Sequence, residues 1–267
     1  MQILRIDDHQ SWRIRCGRQQ LLIDPWLVDD VEFGPGGRWL RRTHGAPVAL
    51  RPRDVPASDL LVLTSPRPDH AHPRTLAALD RSMRVIGPPA AVRLARRLGF
   101  RSTLALAPGA RIVLENEIAL TAIRSALPWG ASSVGLLLES LADGVRLYLE
   151  SHRPPERHPL LAPPVDVVIL PVRQVRALGI PVALDAEGSI AVARRLAARL
   201  LLATGTGTGA VTGPGAQLLR REGDGAAFEA QASLHLGEGR GRVLAPGASV
   251  RIGPRRRAVP AGDAVGR

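Results

Sequence analysis

The segment Leu60-Leu61-Val62-Leu63-Thr64-Ser65-Pro66-Arg67-Pro68-Asp69-His70-Ala71-His72-Pro73 sets the frame for everything around it. Leu60 to Thr64 is a short apolar run, entered from Pro56-Ala57-Ser58-Asp59 and closed by Ser65-Pro66, which predicts a buried strand. Pro66 and Pro68 can neither donate to a ladder nor sit inside a helix, so a rigid loop must follow. Pro73 suits the first position of a helix beginning Arg74-Thr75-Leu76. A strand, a stiff loop carrying Asp-His-x-His and then a helix would fix metal ligands to the edge of a sheet. The plainer alternative is that Asp69 and His70 form a hydrogen-bonded pair that braces the loop.

On the N-terminal side, residues 3–7, 12–16 and 20–24 read as three short strands. The run Trp12-Arg13-Ile14-Arg15-Cys16 alternates, as a strand with one wet face does. The third strand ends in Asp24-Pro25-Trp26-Leu27, where Asp24 either faces a cleft or caps a turn. Residues 28–58, rich in glycine and proline, read as one long loop roofing the cleft. His44 within it is expected to be an exposed loop histidine.

On the C-terminal side, a helix (74–82), a strand (84–86) and a helix (88–98) capped by Gly99 give an α/β alternation. The rhythm then changes to consecutive strands at 103–106, 111–114, 117–124, 134–140 and 145–149, with Ala142-Asp143-Gly144 as a hairpin turn. The last of these runs into Glu150-Ser151-His152, a second polar cluster at a strand end. A core strand (165–171), a helix (185–199) with its apolar face at Ile190, Ala193 and Ala197, and a strand (200–203) follow. Thr204-Gly205-Thr206-Gly207-Thr208-Gly209 lacks the lysine of a phosphate loop and the spacing of a dinucleotide loop, so it reads as a flexible connection. A short helix (214–221) and edge strands at 227–235 and 248–252 complete the pattern, and 253–267 reads as a disordered Arg/Gly/Pro tail. His158 and His235 are expected at the surface.

Composition narrows the classes. An apolar content of 45% in 267 residues is ample for a core, and no run approaches the roughly 18 apolar residues that span a bilayer. The start of the chain reads as strand rather than signal peptide, and the lone Cys16 fits a reducing compartment as a small buried hydrophobe, so a cytoplasmic location is expected. The net charge of +12 is carried entirely by scattered arginine, a pattern of GC-rich coding. With aromatics at 3%, stacking platforms for nucleic acid are scarce. A surface that attracts an anionic small molecule remains the better use of the charge. Two β-rich halves, about 1–100 and 101–252, each ending in helices, would pack sheet to sheet as a four-layer α/β/β/α sandwich. Asp24, Asp69, His70, His152 and Thr204 would then meet on one edge.

These residues resemble the metallo-β-lactamase-fold superfamily of metal-dependent hydrolases, over roughly residues 3–235. The resemblance is carried by Ile23-Asp24-Pro25-Trp26-Leu27, by Thr64 to His70 where the family has His-x-His-x-Asp-His, and by Tyr148 to His152 where it has a bridging carboxylate. It implies a single domain over 1–252. Departures are equally clear: Ser65 and Arg67 replace the two leading histidines, His152 replaces the bridging carboxylate, no histidine lies between His72 and His152, and the final histidine is missing near Thr204-Gly205. The resemblance therefore implies at most one divalent metal, zinc first, with manganese or iron as alternatives. Its expected ligands are Asp69, His70 and His152, with His72 or Glu150 as a further candidate. Asp69 or Asp24 would orient or deprotonate the water, and Arg67, paired with one of those acids, would hold an anionic group of the substrate. His9 and Ser11 would support the ligands from behind. Two other readings stand beside this hydrolase. One is a fold member that only binds a ligand or partner; the other, nucleic-acid binding through arginine, is the weakest.

Overall fold

Alternation within the strands sorts the apolar side chains into three clusters, and these define the layers. The computed structural model describes residues 1–127 and 132–255. In it, Leu21 and Ile23 point into a central cluster while Leu22 between them points the other way, the period-two signature of a sheet covered on both faces. The central cluster joins Ile3, Trp12, Val62 and Ile86 of one sheet to Leu120, Leu136, Ile169 and Leu202 of a second. Outside the first sheet, helices Pro73–Ala78 (α1) and Pro89–Arg97 (α2) bury Leu76, Ala91 and Ala95 against Leu61 and Val85. Outside the second, helices Ala186–Arg195 (α3) and Gly225–Leu236 (α4) bury Ile190, Ala193, Phe228 and Ala232 against Val168 and Leu201. The order is α/β/β/α, as expected.

Each seven-stranded sheet has an antiparallel part and a parallel part. The first runs Ser249–Arg251, Gln2–Arg5, Trp12–Cys16, Gln19–Ile23, Leu60–Val62, Val85–Gly87, Thr103–Ala105, and becomes parallel from Gln19–Ile23 onward. The second runs Gly241–Arg242, Leu200–Thr204, Val167–Pro171, Arg146–Leu149, Val134–Ser140, Ile118–Arg124, Arg111–Leu114, parallel in its first four strands. Helices α1 to α4 connect the later parallel strands, residues 24–59 and 150–166 link the first parallel pair of each sheet without an α-helix, and the parallel strands send their C-termini to one edge, where α/β sheets hold ligands. Gly87 marks how tightly the first sheet is built: a Cβ there would lie 2.5 Å from the Leu63 carbonyl oxygen.

Several expectations are corrected. Residues 28–58 are not a single loop. Val31–Phe33 and Leu40–Arg42 form a hairpin that also pairs with Val211–Thr212, and a short 3-10 turn covers Pro52–Asp54. Val31 and Leu40 are buried, which a three-residue strand is too short to announce by periodicity. Residues 227–235, expected as an edge strand, lie in α4. Ala226, Ala227, Glu229, Ala230 and Gln231 are strong helix formers, Asp224 caps the N-terminus through Ala227 N–H at 3.3 Å, and Gly237 at φ 101° ends it. The helix expected at 214–221 is a 3-10 turn, Pro214–Leu218, followed by the strand Leu219–Glu222. Of the expected disordered tail, residues 256–267 lie outside the described residues. Arg255 is anchored, its Nε donating to Asp166 Oδ1 at 2.8 Å. Among the described residues no helix is long and apolar enough to cross a membrane.

Candidate active site at the strand ends

Asp24 closes the strand Gln19–Ile23 in a left-handed conformation, φ 44°, that an aspartate tolerates better than most residues. Its turn is pinned by Ser11, whose hydroxyl accepts from Trp26 N–H at 2.9 Å and donates to Asp7 Oδ2 at 2.5 Å. The Asp24 carboxylate is fully buried and accepts from Thr64 N–H at 2.7 Å and from the Thr64 hydroxyl. His70 Nδ1 lies 2.7 Å from its Oδ2. Asp24 is therefore a turn-and-loop clamp that orients His70, and its buried carboxylate does not reach open space. Burial opposes the charged form of His70, but the carboxylates of Asp24 and Asp69 outweigh it and raise its pKa.

The structure carries His152 to His70. Their rings stack with centroids 4.9 Å apart and planes 21° from parallel. His152 is buried and shifted toward its neutral form, by burial first. Glu150 beneath it is wholly buried and used up locally, accepting from Ser125 Oγ at 2.8 Å and from His152 N–H at 2.9 Å. His72 is not part of this group. Its Nδ1 is 2.9 Å from Thr75 Oγ1, its ring lies 6.2 Å from that of Trp26, and burial pushes its pKa down to about 4.

Asp69 sits in the Pro66–His70 turn, held by Gln10 Nε2 donating to its carbonyl at 2.7 Å. Its Oδ2 is 3.7 Å from His9 Nε2. That nitrogen also faces Arg42 Nη1 at 3.1 Å. Arginine can only donate, so His9 Nε2 must accept and the ring must be neutral with its proton on Nδ1. Burial, and then the charge of Arg42, push the His9 pKa down to about 3 accordingly. The His9–Asp69 contact is thus no ion pair, and the Asp69 carboxylate has no strong donor among the described residues. Burial works against its charge, yet the cation at His70 and the charge of Arg67 hold it below the usual carboxylate range. Arg67 forms no ion pair with Asp24 or Asp69 among the described residues, contrary to expectation; its side chain instead lines a cavity of about 420 Å³.

That cavity is the site's working space. His9, Arg42, Arg67, Asp69, His152 and Arg221 line its polar side. Arg42 and Arg221, and the apolar residues opposite, come from the small sheets that roof the strand ends, and sequence reasoning missed them. Burial lowers the Arg42 pKa to about 10, still a cation at neutral pH, with the nearby charge of Arg221 next in effect. Arg221 Nη2 donates to Gly209 O at 3.0 Å, while its Nη1 is buried without a partner among the described residues. His44 is also misplaced by sequence: it stacks on Trp26, centroids 3.7 Å apart, with Nδ1 3.3 Å from Asp8 Oδ1. The glycine run after Thr204 is packed rather than loose. A Cβ on Gly209 would lie 1.9 Å from Thr43 O, so glycine there allows two backbones to touch.

A metal has two free donors here, Asp69 Oδ1 and His70 Nε2, both buried without a partner among the described residues. Ser65, in place of a leading ligand, accepts from Ser133 Oγ at 2.9 Å. Among the described residues no three of His, Cys, Asp and Glu are set to share one ion. An open catalytic site takes three protein ligands, so the residues present do not fit a catalytic divalent ion.

Two stacked sheets between helices, with acids and imidazoles gathered at the C-terminal strand ends, make this a metallo-β-lactamase-fold protein. The chain belongs to the beta-lactamase superfamily: the family model described as "Beta-lactamase superfamily domain" matches residues 4–205. Solved structures agree on the fold. An isothiocyanate hydrolase from Delia radicum gut bacteria is 15% identical with a TM-score of 0.74, covering 96% of this chain and 100% of that one. The metallo-beta-lactamase fold protein YhfI from Bacillus subtilis is 12% identical with a TM-score of 0.62, covering 94% and 99%. CmlA, a diiron β-hydroxylase from Streptomyces venezuelae, is 14% identical with a TM-score of 0.65, covering 94% of this chain and 54% of its own. No curated protein matches the sequence.

Proposed function

We propose that this chain binds a small organic anion at the fold's usual ligand edge, with arginine standing in for the cation that its relatives hold there. One observation carries the reading. Three guanidiniums, Arg42, Arg67 and Arg221, line the cavity beside a single carboxylate, Asp69, and none of the three is ion-paired among the described residues. Charges left unpaired in a half-enclosed space are costly unless a counter-charge arrives. Planar guanidinium forks suit a carboxylate or phosphate. Calorimetric titration with butanoate and with inorganic phosphate tests this. Saturable binding that weakens at least tenfold in Arg221→Gln is expected; no heat from either anion up to millimolar concentration refutes it.

A second reading places one bound metal ion at this edge, without the three protein ligands of an open catalytic site. It is favoured by the unpartnered Asp69 Oδ1 and His70 Nε2. Elemental analysis of untagged protein separates the two. One equivalent of zinc, manganese or iron, lost in both Asp69→Ala and His70→Ala, would establish the second over the first.

A further inference from the structure

The cavity has an apolar side as well as a basic one, and the apolar side is oddly built. Phe33, Leu40, Val175 and Val182 line it, and Trp39, Leu178 and Leu218 reach its mouth at 50%, 67% and 40% exposure. Leu178 is the informative residue. It occupies the turn between Gln174–Ala177 and Ile180–Pro181 at φ 52°, followed by Gly179 at φ 80°. Two successive positive φ values make the tight hairpin turn in which asparagine or glycine is the comfortable first residue. A leucine here meets two penalties at once, a left-handed backbone and an apolar side chain in water. Unfavourable conformations at a cavity mouth persist where they serve a ligand.

We infer that the ligand is an amphipathic carboxylic acid, its carboxylate among Arg42, Arg67 and Arg221 and its hydrocarbon tail running out between Trp39 and Leu178. The inference rests on the anion-binding reading above and adds the tail to it. A cavity of about 420 Å³ is of a size for such a molecule. The two halves of the ligand match the two halves of the lining: a head that neutralises unpaired cations, and a tail that takes Leu178 and Trp39 out of water.

The test is calorimetric titration with butanoate, octanoate and octan-1-ol. Each buried methylene is worth roughly a factor of four in affinity, so octanoate should bind at least tenfold tighter than butanoate, well below the ceiling for four added methylenes. Octan-1-ol, without the charge, should bind at least tenfold more weakly than octanoate. Leu178→Asn supplies a readout that a merely structural leucine would not give. It should raise the urea midpoint, weaken octanoate at least fivefold and leave butanoate unchanged. Trp39→Ser, at a second exposed position, should repeat the loss for octanoate. Equal binding of butanoate and octanoate, both sensitive to Arg221→Gln, would keep the anion site and overturn the tail. Octan-1-ol binding as tightly as octanoate would overturn the amphipathic assignment. Failure of both acids to bind would remove both readings.

Discussion

Replacing Asp24 with alanine should unfasten the site from within. The carboxylate is buried, and three donors end on it: Thr64 N–H at 2.7 Å, the Thr64 hydroxyl, and His70 Nδ1 at 2.7 Å. Alanine leaves all three in a dry interior and strands His70 without the first of its two counter-charges. Breaking one side of a buried pair costs about 3–5 kcal/mol. In a domain near this size each kcal/mol lowers the melting temperature by about 2–4 °C, so a fall of roughly 6–20 °C is expected. Asparagine at the same place tolerates φ 44° and keeps one acceptor, so Asp24→Asn should lose about half as much. The upward shift of His70 fixes the pH sense. Its contribution is full below the unfolded pKa of about 6.5 and is lost as pH rises through the folded value. Urea unfolding at pH 6 and pH 9 should therefore show a larger cost for Asp24→Ala at pH 6. A loss under about 1 kcal/mol at both pH values, or asparagine as damaging as alanine, would refute the clamp.

Other expectations are equally direct. His72, held near pKa 4 by burial, contributes stability above about 6.5 that is lost as pH falls toward 4, a span worth roughly 3 kcal/mol. His72→Gln should flatten that part of the urea midpoint's acid slope. Arg5 is wholly buried, donates to Asp7 O at 2.7 Å, to Thr206 Oγ1 at 2.9 Å and to Ala203 O, and is unlike lysine in its fork. Arg5→Met, which leaves those buried acceptors without a donor, should cost about 1–3 kcal/mol in urea unfolding, and Arg5→Lys should not restore it. Gly87→Ala, forced against the Leu63 carbonyl at 2.5 Å, should lower the melting temperature by at least 5 °C, about 1.5 kcal/mol or more.

Long-range order was legible where side chains repeat. Leu21-Leu22-Ile23 and Leu60 to Thr64 read as buried strands, and their polar ends, Asp24 and His70, do meet across 46 positions. His152 likewise arrives at His70. What stayed hidden has a physical cause in each case. Arg42 and Arg221 lie in strands of three and four residues, too short for a period to rise above chance. Nothing in a scattered arginine composition marks which guanidiniums face inward. His72, two residues from His70, looked like a ligand by spacing. The chain turns into α1 just after His72, whose ring lies by Thr75 and Trp26 while that of His70 lies by Asp24 and His152. The α4 segment shows the opposite error, where a weak amphipathic pattern hid plain helix formers behind a capping aspartate.

The first sheet is completed by the strand Ser249–Arg251, which lies beside Gln2–Arg5. During synthesis the strand Gln2–Arg5 must therefore wait for residues 249–251 before its outer hydrogen bonds are filled. A protein cut after residue 205 would retain the segment matched by the family model and yet carry an open edge at Gln2–Arg5, free to pair with its own kind. Such a fragment should aggregate, and its recovery would depend on supplying the missing residues in trans or fusing them ahead of Met1, where the Met1 amine already touches Ile252 O at 3.0 Å.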